Sequence, residues 1–107
     1  MSEIFSPFVR WSAYTAKDMN HPDVLEIEPI DTELFETQYS TNLRVKVNKE
    51  EKVLPIHNFE SNNKQLLNLY LKAKKQNKIK EGKKFKLHTW MGISKNNFPI
   101  RRFGLVF

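Results

Sequence analysis

Lys86, His88 and Trp90 alternate with Phe85, Leu87, Thr89 and Met91 in the strongest strand pattern of the 107-residue chain. If the apolar set fills a core, the other three side chains share the solvent face. An indole beside cations is a surface on which an unpaired base stacks while lysine neutralises phosphate. Such stacking contributes roughly 1–3 kcal/mol per base. Arg44 and Lys46 stand in the same phase on another predicted strand, Arg101 and Arg102 open the last strand, and Lys95 and Phe98 lie in the loop before it. Trp90 also has a purely structural reading, in which it packs beneath a helix or against the aromatic segment at residues 5–11. Adjacent Arg101 and Arg102 must project to opposite faces of a strand, so one of them needs an internal partner. Glu26 or Glu28 is the expected supplier.

Other chemistries find less support. His21, His57 and His88 are isolated and the chain has no cysteine, which removes disulfides, thiolate nucleophiles and the usual zinc spacings. Only three glycines occur, none in a phosphate-cradling loop. Glu26, Glu28, Asp31, Glu33 and Glu36, with Lys83 after Glu81 and Gly82, contain the residue types of a magnesium-dependent nuclease. The lysine of such a site belongs on a strand, whereas residues 81–83 fall in a connection. The expectation is a protein with no catalytic residue, no metal and no cofactor.

Charge separates along the chain. Residues 1–40 hold two basic and eight acidic side chains, a net of −6, while residues 41–107 hold sixteen basic and four acidic ones, a net of +12. A cationic surface of this size attracts polyanions over about 8 Å at physiological salt. Nucleic acid is therefore the first partner to expect. No apolar run reaches the roughly 18 residues of a membrane span, and the N-terminus lacks the basic start and continuous apolar stretch of a secretory signal. A cytoplasmic protein without a membrane partner is the expected setting.

The elements that must position these residues follow from periodicity. Residues 4–15 are apolar and aromatic, with Val9, Trp11 and Ala13 alternating with Arg10, Ser12 and Tyr14, which predicts a strand with Trp11 and Tyr14 on opposite sides. His21-Pro22-Asp23 is a turn. Residues 24–30 alternate as a strand, and residues 31–40 read either as its extension or as a helical turn opened by Asp31. Residues 43–47 and 53–57 form a hairpin around a polar turn, with Pro55 at a sheet edge or a bulge. Ser61 caps a helix over residues 62–77. Lys72, Lys74, Lys75 and Lys78 near its end complement the macrodipole as a solvated cap. Residues 84–93 and 100–107 form the closing hairpin.

This order of strand, hairpin, helix and hairpin over residues 24–107 resembles the OB-fold proteins at the level of topology. The length fits one domain over residues 1–107. The resemblance implies that it is mostly β with one helix, a five-stranded OB-like barrel over residues 24–107. Residues 1–23, an aromatic extension or extra strand, are a departure that the minimal barrel does not need. An α+β sheet covered by one helix is the alternative. In OB proteins that bind nucleic acid the ligand crosses strands two and three between flanking loops. That surface corresponds here to Arg44, Lys46 and His57, with Lys95, Asn96, Asn97 and Phe98 closing one side. The expected function is non-catalytic binding of single-stranded DNA or RNA through Arg44, Lys46, His57, Lys86, His88, Trp90, Lys95, Phe98, Arg101 and Arg102. The alternative is a protein-interaction module or a subunit of a larger complex, docking or self-associating through Phe5, Phe8 and Trp11.

Overall fold

The computed structural model describes residues 8–61 and 63–107. Its architecture is mostly β with one helix. Strands β1 (Asp23–Pro29), β2 (Phe35–Glu36), β3 (Ser40–Val47), β4 (Glu50–Asn58), β5 (Phe85–Ile93) and β6 (Pro99–Val106) form one antiparallel sheet, and α1 (Gln65–Lys75) connects β4 to β5. β4 occupies one edge of β3, while β1 and β2 share the other. β2 is therefore an extension of β1 resumed after a bend, which resolves the ambiguity of residues 31–40. The run of neighbours is β4–β3–β1–β5–β6, with β2 continuing β1. Among the described residues β4 and β6 do not pair, so the sheet is open and a closed barrel is not formed.

Local chemistry explains the elements. The β3–β4 hairpin turns on Asn48 and Lys49, both at positive φ (51° and 75°), the two-residue geometry whose twist matches paired strands and which asparagine tolerates. The Asn48 amide also donates to the Glu26 carbonyl at 3.0 Å, tying the turn to β1. Pro55 lies at a register shift, opposite Asn42 and next to the unpaired Ile56, on a strand at the end of the sheet, as a residue lacking a donor requires. The helix is shorter than residues 62–77. Ser61 Oγ accepts the Asn63 amide and Asn63 Oδ1 accepts the Gln65 amide, so successive side-chain turns replace the expected Ser61 cap. At its other end Asn77 takes φ 61° while the Asn77 and Lys78 amides return to the Lys74 and Ala73 carbonyls, a Schellman closure.

Leu25, Ile27, Leu43, Val45 and Leu87 are fully buried on the inner face of the sheet, where Leu66, Tyr70 and Ala73 of α1 pack against them. The gap between β4 and β6 is filled by residues 8–14 and the start of α1. The Val9 amide bonds the Val53 carbonyl and Trp11 Nε1 bonds the Pro55 carbonyl, satisfying the free edge of β4. Asn63 Nδ2 bonds the Arg101 carbonyl and Gln65 Oε1 accepts the Phe103 amide, satisfying the free edge of β6. Residues 8–14 on one side and the side chains of Asn63 and Gln65 on the other thus cover two edges that would otherwise template aggregation.

The predicted strand over residues 4–15 is corrected. Residues 4–7 lie outside the described residues, Phe8 makes only a single bridge to Val53, and Trp11–Ala13 is a 3₁₀ turn. In a 3₁₀ turn positions i and i+3 eclipse, so Trp11 and Tyr14 meet, with ring centroids 6.0 Å apart, rather than facing opposite sides. Trp11 also packs edge-on to Phe103 at 5.1 Å.

Candidate nucleic-acid interface

Strand alternation sorts the candidate residues. Phe85, Leu87 and Thr89 are buried on the inner face, which leaves Lys86, His88 and Trp90 in a row on the outer face of β5. Cross-strand register then sets Lys86 opposite Val106, His88 opposite Gly104 and Trp90 opposite Arg102. Trp90 and Arg102 thus form a directly opposed pair. Each lies across a glycine on its diagonal: a Cβ at Gly104 would sit 3.9 Å from Trp90 Cη2, and one at Gly92 3.2 Å from Arg102 Cγ. Trp90 is consequently half-buried while still on the outer face. Its half-burial comes from the neighbouring strand β6, not from packing beneath the helix or against the aromatic N-terminal segment.

Arg101 faces inward. Its guanidinium donates to Thr89 Oγ1 at 3.1 Å and to the Tyr14 carbonyl at 2.8 Å, and lies 6.0 Å from the Trp11 ring centroid. Burial lowers the Arg101 pKa from its usual value, partly opposed by the charge of Asp23. One arginine of the pair does need an internal partner, but Glu26 and Glu28 are not it. Those carboxylates lie on the outer face of β1, on the opposite side of the sheet, and Thr89 and the Tyr14 carbonyl take the role instead. Arg101 accordingly belongs to the fold and not to the outer surface.

Arg44 and Lys46 are exposed on the outer face of β3, Arg44 lying 5.3 Å from the centre of the Phe35 ring on β2. They do not join the β5 row directly, because β1 runs between them. Glu28 stands opposite Lys46, and Glu26 stands opposite Lys86. Glu26 Oε1 also lies 3.6 Å from Lys84 Nζ. The acidic segment thus enters the basic region as its central strand. His57 sits far along β4, its Nε2 3.2 Å from the Ser61 carbonyl and its ring edge-on to Phe59, apart from the β5 row.

The loop joining β5 and β6 carries Lys95 and Phe98, both exposed, Phe98 at 66%. Bonds between the Ser94 and Phe98 backbones, and from the Phe98 amide to Ser94 Oγ, fix the loop. Phe5 lies outside the described residues, Phe8 is exposed, and Trp11 is occupied in the β4–β6 seam. Among the described residues no three His, Asp or Glu side chains gather as metal ligands. No described helix is long and apolar enough to cross a membrane.

Several residues of this surface escaped the sequence reading. Gly92 and Gly104 matter because they lie in phase with Trp90 and Arg102, a period-two signal legible in the chain. Phe35 had no such signal, since the strand holding it is two residues long. The chain matches no protein-family model, no curated protein and no solved structure among those compared, so the surface has to be read from its own chemistry.

Proposed function

We propose that the outer face of β5 and β6 binds single-stranded nucleic acid, DNA or RNA, without catalysis. The observation that carries this reading is the opposed Trp90–Arg102 pair flanked by Lys86 and His88. An aromatic plane and a guanidinium on one open face offer stacking and phosphate neutralisation together, which favours unpaired strands over duplex. Lys95 and Phe98 extend the same surface at the hairpin tip. No dense array of side chains is placed to read base edges, so sequence preference is weak. We also read the strand order as that of an OB-like barrel lacking only the β4–β6 pair that would close it, with residues 8–14 filling the seam.

Titration of a labelled single-stranded oligonucleotide, followed by anisotropy and tryptophan fluorescence, tests the proposal. Trp90→Ala should weaken binding by about 1–3 kcal/mol, roughly 5- to 150-fold, and Lys86→Glu should weaken it further. Unchanged affinity in the double variant would sink the reading. A second reading, docking of a protein partner, is favoured by the exposed Tyr39 (63%) and Phe59 (43%), joined by the Phe59 amide to Tyr39 carbonyl bond. Binding through those rings would vary little with salt, whereas a phosphate-led interaction weakens steeply.

A further inference from the structure

The resemblance to OB proteins puts the ligand across β3 and β4, yet the charges on this sheet favour another route. A strand crossing from Trp90 towards Arg44 must pass over Glu26 and Glu28 on central β1, where its phosphates meet carboxylates. Along β5 the charges are of one sign. The row Trp90, His88, Lys86 continues to Lys84, spanning about 20 Å at the rise of a β-strand.

Beyond that row lies a lysine-rich ledge. Residues 72–86 hold eight lysines and one acid, Glu81. Two of these lysines are paired, Lys74 with Glu33 at 2.8 Å and Lys84 with Glu26 at 3.6 Å. Lys72, Lys75, Lys78, Lys80, Lys83 and Lys86 are exposed, and among the described residues no carboxylate lies within 4.0 Å of them. The row and the ledge meet at a depression of about 320 Å³ lined by Glu26, Lys84, Phe85, Lys86, Val106 and Phe107. Lys78 Nζ approaches it from the helix side, 5.6 Å from the centre of the Phe107 ring. Its floor is apolar, of Phe85, Val106 and Phe107, and its rim carries Lys84 and Lys86 beside a single carboxylate, Glu26, which Lys84 neutralises. A base and its phosphate thus find partners together at a second place on this surface.

We infer that the bound single strand runs along β5, from Trp90 and Arg102 to the depression at Val106 and Phe107 and onto the lysines of the α1–β5 connection, rather than across β1 to Arg44 and Lys46. The inference rests on the nucleic-acid reading above and adds the direction of the path. Lys78 is then a phosphate contact and not only part of a helix-end cap, and Lys83 of the connection is a second such contact.

Two double variants that remove equal charge test it. Lys78→Gln with Lys83→Gln, and Arg44→Gln with Lys46→Gln, each delete two cations from exposed positions, so a general loss of attraction affects both alike. Affinity for a single-stranded oligonucleotide of about 15 nucleotides is measured from about 50 to 200 mM salt, with circular dichroism confirming folding. The Lys78/Lys83 variant should lower the slope of log affinity against log salt by about 1.4, at 0.7 per phosphate contact. That makes the affinity lost between those salt concentrations about 7-fold smaller than in the parent. The Arg44/Lys46 variant should leave the slope unchanged. A lowered slope in the Arg44/Lys46 variant alone, or equal slopes in both, overturns the path while leaving the binding function intact. If the parent protein binds no oligonucleotide even at about 50 mM salt, the function and the path fall together. Binding only to anionic phospholipid vesicles would likewise overturn both.

Discussion

Two neighbouring arginines should respond in opposite ways to the same substitution. Arg101→Ala deletes a guanidinium that donates to Thr89 Oγ1 and to the Tyr14 carbonyl and lies beside the Trp11 ring. Hydrogen bonds from a charged group contribute about 1.5–3 kcal/mol each. The guanidinium is only partly buried, which brings the two together to about 2–3 kcal/mol. Thr89 Oγ1 keeps its 3.0 Å bond to the Arg102 carbonyl, so the loss falls on Tyr14 and on the attachment of residues 8–14. With a urea m-value of about 1.5 kcal/mol/M, the unfolding midpoint drops by about 1.3–2 M. Arg102→Ala removes a side chain lying across Gly92 on the outer face. It should change stability by no more than about 0.5 kcal/mol while weakening oligonucleotide binding. Urea unfolding followed by far-ultraviolet circular dichroism, with anisotropy titrations of both variants, separates the roles. Equal destabilisation by the two substitutions would refute the assignment, because it follows directly from the register that sets Trp90 opposite Arg102 and Met91 opposite Arg101.

Two further outcomes follow from the inner face and the seam. The Tyr70 hydroxyl donates to the Thr32 carbonyl at 2.5 Å, and burial, helped by the charges of Glu33 and Asp31, pushes its pKa up to about 12. An unfolded tyrosine ionises near 10, so this contribution is complete below about pH 10 and is lost as pH rises towards 12. Tyr70→Phe should cost about 1 kcal/mol at neutral pH and remove that alkaline loss, as read by urea midpoints at about pH 8 and pH 11. Trp11→Ala removes the bond to the Pro55 carbonyl and the packing on Phe103, a loss of about 2–4 kcal/mol for a partly buried aromatic ring. It also uncovers the β4 edge, so sedimentation should show concentration-dependent self-association; a monomer of unchanged stability would contradict the role given to the seam.

The elements that were legible in the chain are those whose alternation is long. Phe85 to Ile93 and Leu43 to Val47 keep a strict period of two, and both strands form where that pattern puts them. Pro55 announced an edge or bulge because proline has no amide to donate, and it occupies such a position. Residues 8–14 misled because alternation over so few residues is also compatible with a 3₁₀ turn, and long-range bonds from Trp11 and Arg101 decide between the two. The site was legible as a face but not as a neighbourhood. Period two puts Lys86, His88 and Trp90 together, whereas the strand between them and Arg44 depends on long-range pairing that no local pattern encodes. The partner of Arg101 was missed for the same reason, since the carbonyl of Tyr14 lies 87 residues away in sequence.

Strand order also changes what the charge asymmetry means. The acidic N-terminal third contributes the central strand, and its outward carboxylates lie between two groups of cations. Such a placement stabilises the sheet, because opposite charges directly across a ladder attract by a few tenths of a kcal/mol to about 1 kcal/mol. Glu26 stands opposite Lys86 in register and lies 3.6 Å from Lys84, Glu28 stands opposite Lys46, and Glu33 reaches Lys74 on the helix. The same carboxylates repel a polyanion that would lie across the middle of the sheet. Among the described residues, Arg102 on β6 and Lys78 and Lys83 past the helix have no carboxylate within 4.0 Å. On the path inferred above, the anionic stripe of β1 would act as one bank, and Arg44 and Lys46 would lie beyond it.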